Sequence, residues 1–309
     1  MSGLIPLVSG LIVKPIHSAE LTQTLLELRC RWPDRWPGLA HVFKACLRRL
    51  GCDVDGQVSR SSDCSKAWTS QRFQVLLNSA MAIARLSEHQ SRRQNEPSYH
   101  NRLHTADTLI SMTALLSQTS SIGCSDSRDH NTCSRAFDAD HFAFMLLVML
   151  CHDVSHPGKI NRFRFANELH SLRIVFPLLT REGLALRDQQ RLRQLIIHTD
   201  PAICAANHQK TIAKPLSLDD KVLQQVLVNE ADITASVLPE FAASQGQALA
   251  NEWNDDFPDL AAGVRSLQGR LYFLEHTAMF SSPQALKLGL DTLRRNQVCE
   301  LRGILGNAA

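Results

Sequence analysis

The sequence has 309 residues, 44% of them hydrophobic, with 33 lysines and arginines against 30 aspartates and glutamates and a formal net charge of +3. Length and composition exclude a disordered chain or a small stapled domain and describe one extended domain, or two closely apposed subdomains, with a large core. The charges are interspersed, so no field argues for a nucleic-acid or membrane-surface partner, whereas a small anionic substrate is compatible. Nine cysteines (Cys30, Cys46, Cys52, Cys64, Cys124, Cys133, Cys151, Cys204, Cys299) occur at irregular spacing. No close CxxC pair occurs, and the odd number and the missing secretory signal favour reduced thiols in a cytoplasmic protein.

The amino-terminal residues 1–17 are apolar but lack a basic leading region and are broken by prolines and Lys14, so a secretory signal is not expected. No other uninterrupted apolar run reaches the ~20 residues of a spanning helix. Helical periodicity predicts helices over Leu21–Arg31, Leu39–Leu50, Phe73–Leu86, Thr105–Leu116, Phe142–Cys151, Leu169–Leu179, Leu192–Ile197, Val222–Leu227 and Leu260–Phe280. Alternating β-branched runs are scarce, so the expected fold is all-α, a compact multi-helix domain. Polar, turn-rich stretches at Gly51–Ser65, Ser117–Arg135 and Ala205–Leu216 read as surface loops. The first is a candidate boundary between an amino-terminal cap, residues 1–65, and a catalytic body, residues 66–309. Cys124, His130 and Cys133 in the second read as incidental polar-loop residues rather than a metal cluster.

Three segments carry chemistry. In Tyr99-His100-Asn101-Arg102-Leu103-His104, a helical reading puts His100 and His104 four apart on one face, where two imidazoles can share a site. Alone, such a pair is more often a solvated face or satisfied core histidines. Next, the apolar run Phe142–Cys151 ends in His152-Asp153-Val154-Ser155-His156-Pro157-Gly158. Burying an imidazole and a carboxylate there is costly unless something compensates them, and a divalent cation does so. The plain alternative is a histidine favouring a helix carboxyl end. The third segment, Asn229-Glu230-Ala231-Asp232-Ile233-Thr234, presents Asp232 late in another apolar helix, where a lone aspartate is also compatible with a solvated position.

Taken together, His…His-Asp…Asp across helices is the signature of the HD phosphohydrolase superfamily, and the flanking letters resemble the class I 3′,5′-cyclic nucleotide phosphodiesterases. YHNRLHTADT is similar to that family's YHNxxHAxDV, HDVSHPG to HDxDHPG, and NEADIT to HxADIS. Ile196-Ile197-His198-Thr199-Asp200 is similar to LxATD, and Leu267-Gln268-Gly269-Arg270-Leu271 stands in place of the purine-binding QxxF. The order holds over about residues 97–282.

The resemblance implies an all-α HD-type catalytic domain that hydrolyses cyclic AMP or cyclic GMP to the 5′-monophosphate through a metal-bridged hydroxide. It implies a binuclear centre, with zinc held by His104, His152, Asp153 and Asp232, and magnesium or manganese sharing Asp153. It further implies His100 as the general acid, and His156, Glu168 and Thr199 as residues orienting metal-bound waters. Tyr99, Gln268 and Leu271 would line the substrate site. Several letters depart from the family: Ser155 replaces its aspartate, Asn229 its histidine, Ala235 its downstream asparagine and Leu271 its aromatic clamp, and the stretch from HDVSHPG to Asn167-Glu168-Leu169-His170 is short. These departures leave the metal ligands intact and weaken the base pocket. Two alternatives stay open: an HD phosphohydrolase acting on another nucleotide or phosphate ester, and a non-catalytic metal-binding module.

Overall fold

The computed structural model describes residues 14–52, 54, 70–93, 96–119, 139–213, 216 and 218–307. Among these residues the chain forms fourteen α-helices and no strand, as the periodicity predicts. In chain order they are α1 (Ser18–Arg29), α2 (Leu39–Arg49), α3 (Gln71–Ser91), α4 (Arg102–Ser117), α5 (Ala139–Cys151), α6 (Ala166–Arg181) and α7 (Leu186–Ile197). They continue as α8 (Pro201–Ala213), α9 (Lys221–Val237), α10 (Pro239–Trp253), α11 (Pro258–Arg265), α12 (Leu267–Tyr272), α13 (Pro283–Leu288) and α14 (Leu290–Gly306). A π-helical turn, Phe273–Thr277, extends α12.

Helix α5 explains its own sequence. Every residue from Phe142 to Cys151 is buried, because α3, α4, α6, α7 and α9 all pack against the helix. A helix covered on all sides needs no polar stripe, so its apolar run is continuous. Helix α4 lies against α9 and α5 and is covered on its other side by α1 and α2.

The amino-terminal helices share this core through Leu21, Leu25, Leu28, Leu39, Val42, Phe43 and Leu47. Each such side chain contributes about 1.5–3 kcal/mol by leaving water. An ion pair adds specificity: Arg29 forks onto both oxygens of buried Asp107 in α4, at 2.9 and 2.6 Å. Its guanidinium also lies over the Phe241 ring of α10 at 4.1 Å.

Two sequence expectations are corrected. The stretch Ala205–Leu216, read as a loop, lies largely within α8. Its inward residues are polar: Asn207, His208 and Thr211 are buried, with Asn207 Nδ2 against His198 Nδ1 at 2.9 Å and His208 Nδ1 against Ser281 Oγ at 2.8 Å. A helix whose buried face is hydrogen-bonded rather than apolar leaves no hydrophobic period to read. The run Leu260–Phe280 is not one helix, because Ser266 takes an extended backbone and its hydroxyl accepts from Gly269 N, starting α12 afresh. Most of Gly51–Ser65 and Ser117–Arg135, with Cys124, His130 and Cys133, lies outside the described residues.

Candidate metal centre and active site

The site begins with a helix cap. The Asn101 side chain accepts from Leu103 N at 2.9 Å and His104 N at 3.1 Å, so α4 starts at Arg102 and His104 falls in its first turn. His100 therefore precedes the helix and does not share a helical face with His104, contrary to the sequence reading. The two rings are still neighbours, edge to face with centroids 5.7 Å apart, because the cap folds the chain back.

The second pair stands at the end of α5. His152 N still donates to Val148 O at 3.0 Å, and the chain then turns through residues 152–155, ahead of Pro157 and Gly158. Ser155 has a left-handed backbone (φ 59°), and its hydroxyl donates to Gln90 Oε1 of α3 at 2.8 Å. The fourth member, Asp232, projects from α9, which is started by Asp220 accepting from Val222 N at 2.8 Å.

These elements bring the four expected ligands together. His104 Nε2 lies 3.1 Å from Asp232 Oδ1 and 3.4 Å from Asp153 Oδ2. His152 Nε2 lies 3.2 Å from Asp153 Oδ2 and 3.4 Å from Asp232 Oδ1. One ligand atom from each residue falls within 4.8 Å of all the others.

The group fits a divalent cation on three grounds. Both Nε2 atoms are buried without a properly directed hydrogen bond, an arrangement that is costly unless something else occupies their lone pairs. His152 Nδ1 lies 2.7 Å from Met149 O, and since a carbonyl only accepts, the proton sits on Nδ1 and the Nε2 lone pair faces the cluster. Two imidazoles and two carboxylates are also a donor set that zinc accepts.

Electrostatics points the same way. Burial pulls the His104 imidazole down, but the Asp153 and Asp232 carboxylates outweigh it and push it up to about 9. His152 is likewise raised against burial, chiefly by Asp153. Burial would raise both carboxyls, yet the histidines hold Asp153 and Asp232 well below the usual range. Two negative groups therefore call for positive charge at their shared focus, and a cation supplies it with both imidazoles neutral.

Beside this cluster lies a residue that the sequence reading missed. Glu252, near the end of α10, accepts from Tyr99 N at 2.6 Å and His100 N at 2.7 Å through Oε1, while Oε2 lies 2.6 Å from His100 Nδ1. One carboxylate thus fixes the backbone and ring of His100. Burial raises the Glu252 carboxyl, but the hydrogen bond and charge of His100 outweigh it and lower it overall. No sequence signal marks it, since a glutamate in Ala250-Asn251-Glu252-Trp253 reads as solvated and its partner is 152 residues away.

The remaining expected residues occupy mixed positions. Tyr99 stands over His104 with ring centroids 4.7 Å apart, and its hydroxyl pairs with Ser236 Oγ at 2.9 Å. The His156 ring stacks on His100 at 3.7 Å, and its Nδ1 accepts from Gly158 N at 3.1 Å. Burial, aided by His100, pushes His156 down to about 3, so it is neutral. Glu168 is buried, accepts from Asn161 Nδ2 at 3.1 Å, and is raised first by burial and then by the charges of Asp200 and Asp153. Thr199 donates to Ile196 O at 2.8 Å. Asn229 donates to His198 O at 2.6 Å, and its Oδ1 is buried without a partner among the described residues.

The two expected base-binding residues on α12 lie in different environments. Gln268 is exposed on α12, whereas Leu271 is buried in the hydrophobic core. A side chain at Gly269 would collide with the Gly263 carbonyl, so the close approach of α11 and α12 requires glycine there. Ala235 is buried in α9.

No protein-family model matches the chain, and no curated protein matches it in sequence. Its fold is similar to the solved structure of LmjPDEB1 from Leishmania in complex with IBMX, with a TM-score of 0.59 and 15% identity. The match covers 92% of this chain and 91% of that one. The chain accordingly has a fold like that of the class I cyclic nucleotide phosphodiesterases.

Proposed function

We propose that the protein is a metal-dependent phosphodiesterase that hydrolyses a 3′,5′-cyclic nucleotide, cyclic AMP, cyclic GMP or both, to the 5′-monophosphate. The observation that carries this reading is the convergence of His104, His152, Asp153 and Asp232 beside a separately held His100. His104, His152, Asp153 and Asp232 would hold zinc, and Asp153 would also serve a second, harder ion, magnesium or manganese. When bound, such a centre supplies Lewis-acid polarisation of the phosphoryl group and an acidified water.

The protein's own groups would supply the rest. His100 Nδ1 faces a carboxylate that can only accept, so Nδ1 carries a proton, and in the doubly protonated ring Nε2–H would be the donor to the departing 3′ oxygen. Glu252 stabilises the imidazolium before transfer and fixes its direction. Because His156 Nδ1 already accepts from Gly158 N, its Nε2–H is a donor for water or phosphate oxygen. Thr199 donates to Ile196 O and is left as an acceptor, while Glu168 offers a buried carboxylate. A structural metal site has no use for an off-cluster acid held by its own carboxylate, which favours catalysis over a binding role.

The exposure of Gln268 and burial of Leu271 favour a second reading for specificity alone: the same hydrolysis on another nucleotide or phosphate ester. Incubating metal-loaded protein with cyclic AMP, cyclic GMP and a panel of linear nucleotides, with products identified by mass, separates the two. Formation of 5′-AMP or 5′-GMP from the cyclic substrate is expected. Activity on linear esters alone would replace the first reading by the second.

A further inference from the structure

His100, His156 and Glu252 form a second cluster, each contributing a ligand atom within 4.8 Å of the others. None of the three belongs to the His104, His152, Asp153 and Asp232 group. The Glu252 side chain is 2% exposed and that of His100 17%, so solvent does little to satisfy them. Among the described residues, Glu252 Oε2 meets His100 Nδ1 alone, at 2.6 Å, and the two imidazoles stack face to face at 3.7 Å. With His156 Nδ1 accepting from Gly158 N, the neutral ring carries its proton on Nε2, and Nδ1 becomes a metal ligand once that bond gives way and the ring turns.

We propose that His100, His156 and Glu252 form a weaker, inhibitory site for a soft or borderline divalent cation, zinc above all, distinct from the primary cluster. The donor set, two imidazole nitrogens and one carboxylate, is among the common zinc ligand sets, and it suits magnesium poorly. On binding, the cation takes the place of the proton shared by His100 Nδ1 and Glu252 Oε2. A nitrogen–metal and an oxygen–metal bond form and the Nδ1–H bond breaks; a doubly protonated ring releases that proton to solvent, and a neutral ring takes one up on Nε2 as it does so, so that His100 binds as a neutral imidazole. His156 Nδ1 is engaged by Gly158 N, so binding requires that bond to break and the ring to turn. This makes the site weaker than the primary one, where both Nε2 lone pairs already face the carboxylates. A His100 locked to a cation cannot keep its proton relay with Glu252, and inhibition follows. That functional consequence rests on the catalytic role proposed for His100, but occupancy of the site does not.

The test is a zinc titration of full-length protein loaded with one equivalent of zinc and kept in excess magnesium, following bound zinc by equilibrium dialysis and cyclic-nucleotide hydrolysis in parallel. The expected result is a further, weaker equivalent of zinc whose binding tracks a fall in activity. Glu252→Gln and His156→Asn should each weaken that further equivalent by about 10–100-fold, with the first equivalent retained. Circular dichroism confirms that each variant is folded, and His156→Asn stands if Glu252→Gln does not fold. Wild-type binding of a single equivalent, or a further equivalent of unchanged affinity in the folded variants, overturns the proposal. Absence of hydrolysis on every substrate would instead count against the proposed function, while the dialysis still decides the site.

Discussion

The His/Asp centre and the α12 segment are built in opposite ways. Each member of the centre sits on a long helix or at its end, and each helix is placed by its own device: Asn101 caps α4, Asp220 caps α9 and α5 is buried all round. The α12 segment is a six-residue helix, held by a Ser266 cap and by one glycine that lets α11 approach. The difference is that a cluster of metal-ligand type demands particular side chains on rigid supports, whereas a short capped helix constrains little of what it displays.

The largest expected effects therefore fall on the centre. Asp153 is the one side chain assigned to both ions, so Asp153→Ala should abolish measurable hydrolysis and remove both metals, whereas Asp232→Ala should chiefly weaken zinc. Elemental analysis of the folded variants checks this, and full zinc with full activity in Asp153→Ala would break the two-metal reading.

His100→Asn comes next. It should leave zinc content near wild type and lower turnover by about 10²–10⁴, the range for losing a general acid. A substrate with a better leaving group should recover part of the rate. Loss of zinc in this variant would show that His100 is a ligand, and would remove the distinction between cluster and acid.

Glu230, which the sequence reading passed over, ties α9 to the start of α13. From α9, two positions before Asp232, its buried carboxylate accepts from Ser281 N at 2.7 Å and Ser282 N at 2.8 Å, and from the Ser282 hydroxyl. Glu230→Ala would leave those donors unmet at about 1–3 kcal/mol for each group that water cannot reach. A lowered thermal midpoint with zinc content retained is expected. An unchanged midpoint would mean that the segment after α12 is not held through this carboxylate.

Legibility in the sequence follows the same division. The continuous apolar run of α5, and the His-Asp pair after it, were readable because burying those groups without compensation is expensive. Asn101 was quoted as a motif letter, yet its cap role moved His100 off the helix on which periodicity had placed it. Glu252 escaped because a buried carboxylate satisfied across 152 residues looks like a surface one in sequence. Helix α8 escaped because Asn207, His208 and Thr211 turn a polar face inward.

The smallest expected effects belong to α12, and they decide whether it belongs to the substrate site at all. Gln268 is exposed, so Gln268→Ala removes no buried bond and should leave the fold and zinc content unchanged. If its amide pairs with the edge of a purine, the loss is that of one net hydrogen bond, about 0.5–1.5 kcal/mol, which raises KM roughly two- to tenfold with little change in turnover. Leu271→Phe tests the other side. A vacant clamp position would bind more tightly with an aromatic ring, but Leu271 is 8% exposed and packed in the core. The added volume should instead cost about 1–3 kcal/mol of stability, with no gain in affinity. Steady-state kinetics of both variants on cyclic AMP and cyclic GMP, beside their thermal midpoints, give the answer. A Gln268→Ala enzyme with wild-type KM on both nucleotides would detach α12 from base recognition, and a Leu271→Phe enzyme with lowered KM would restore it.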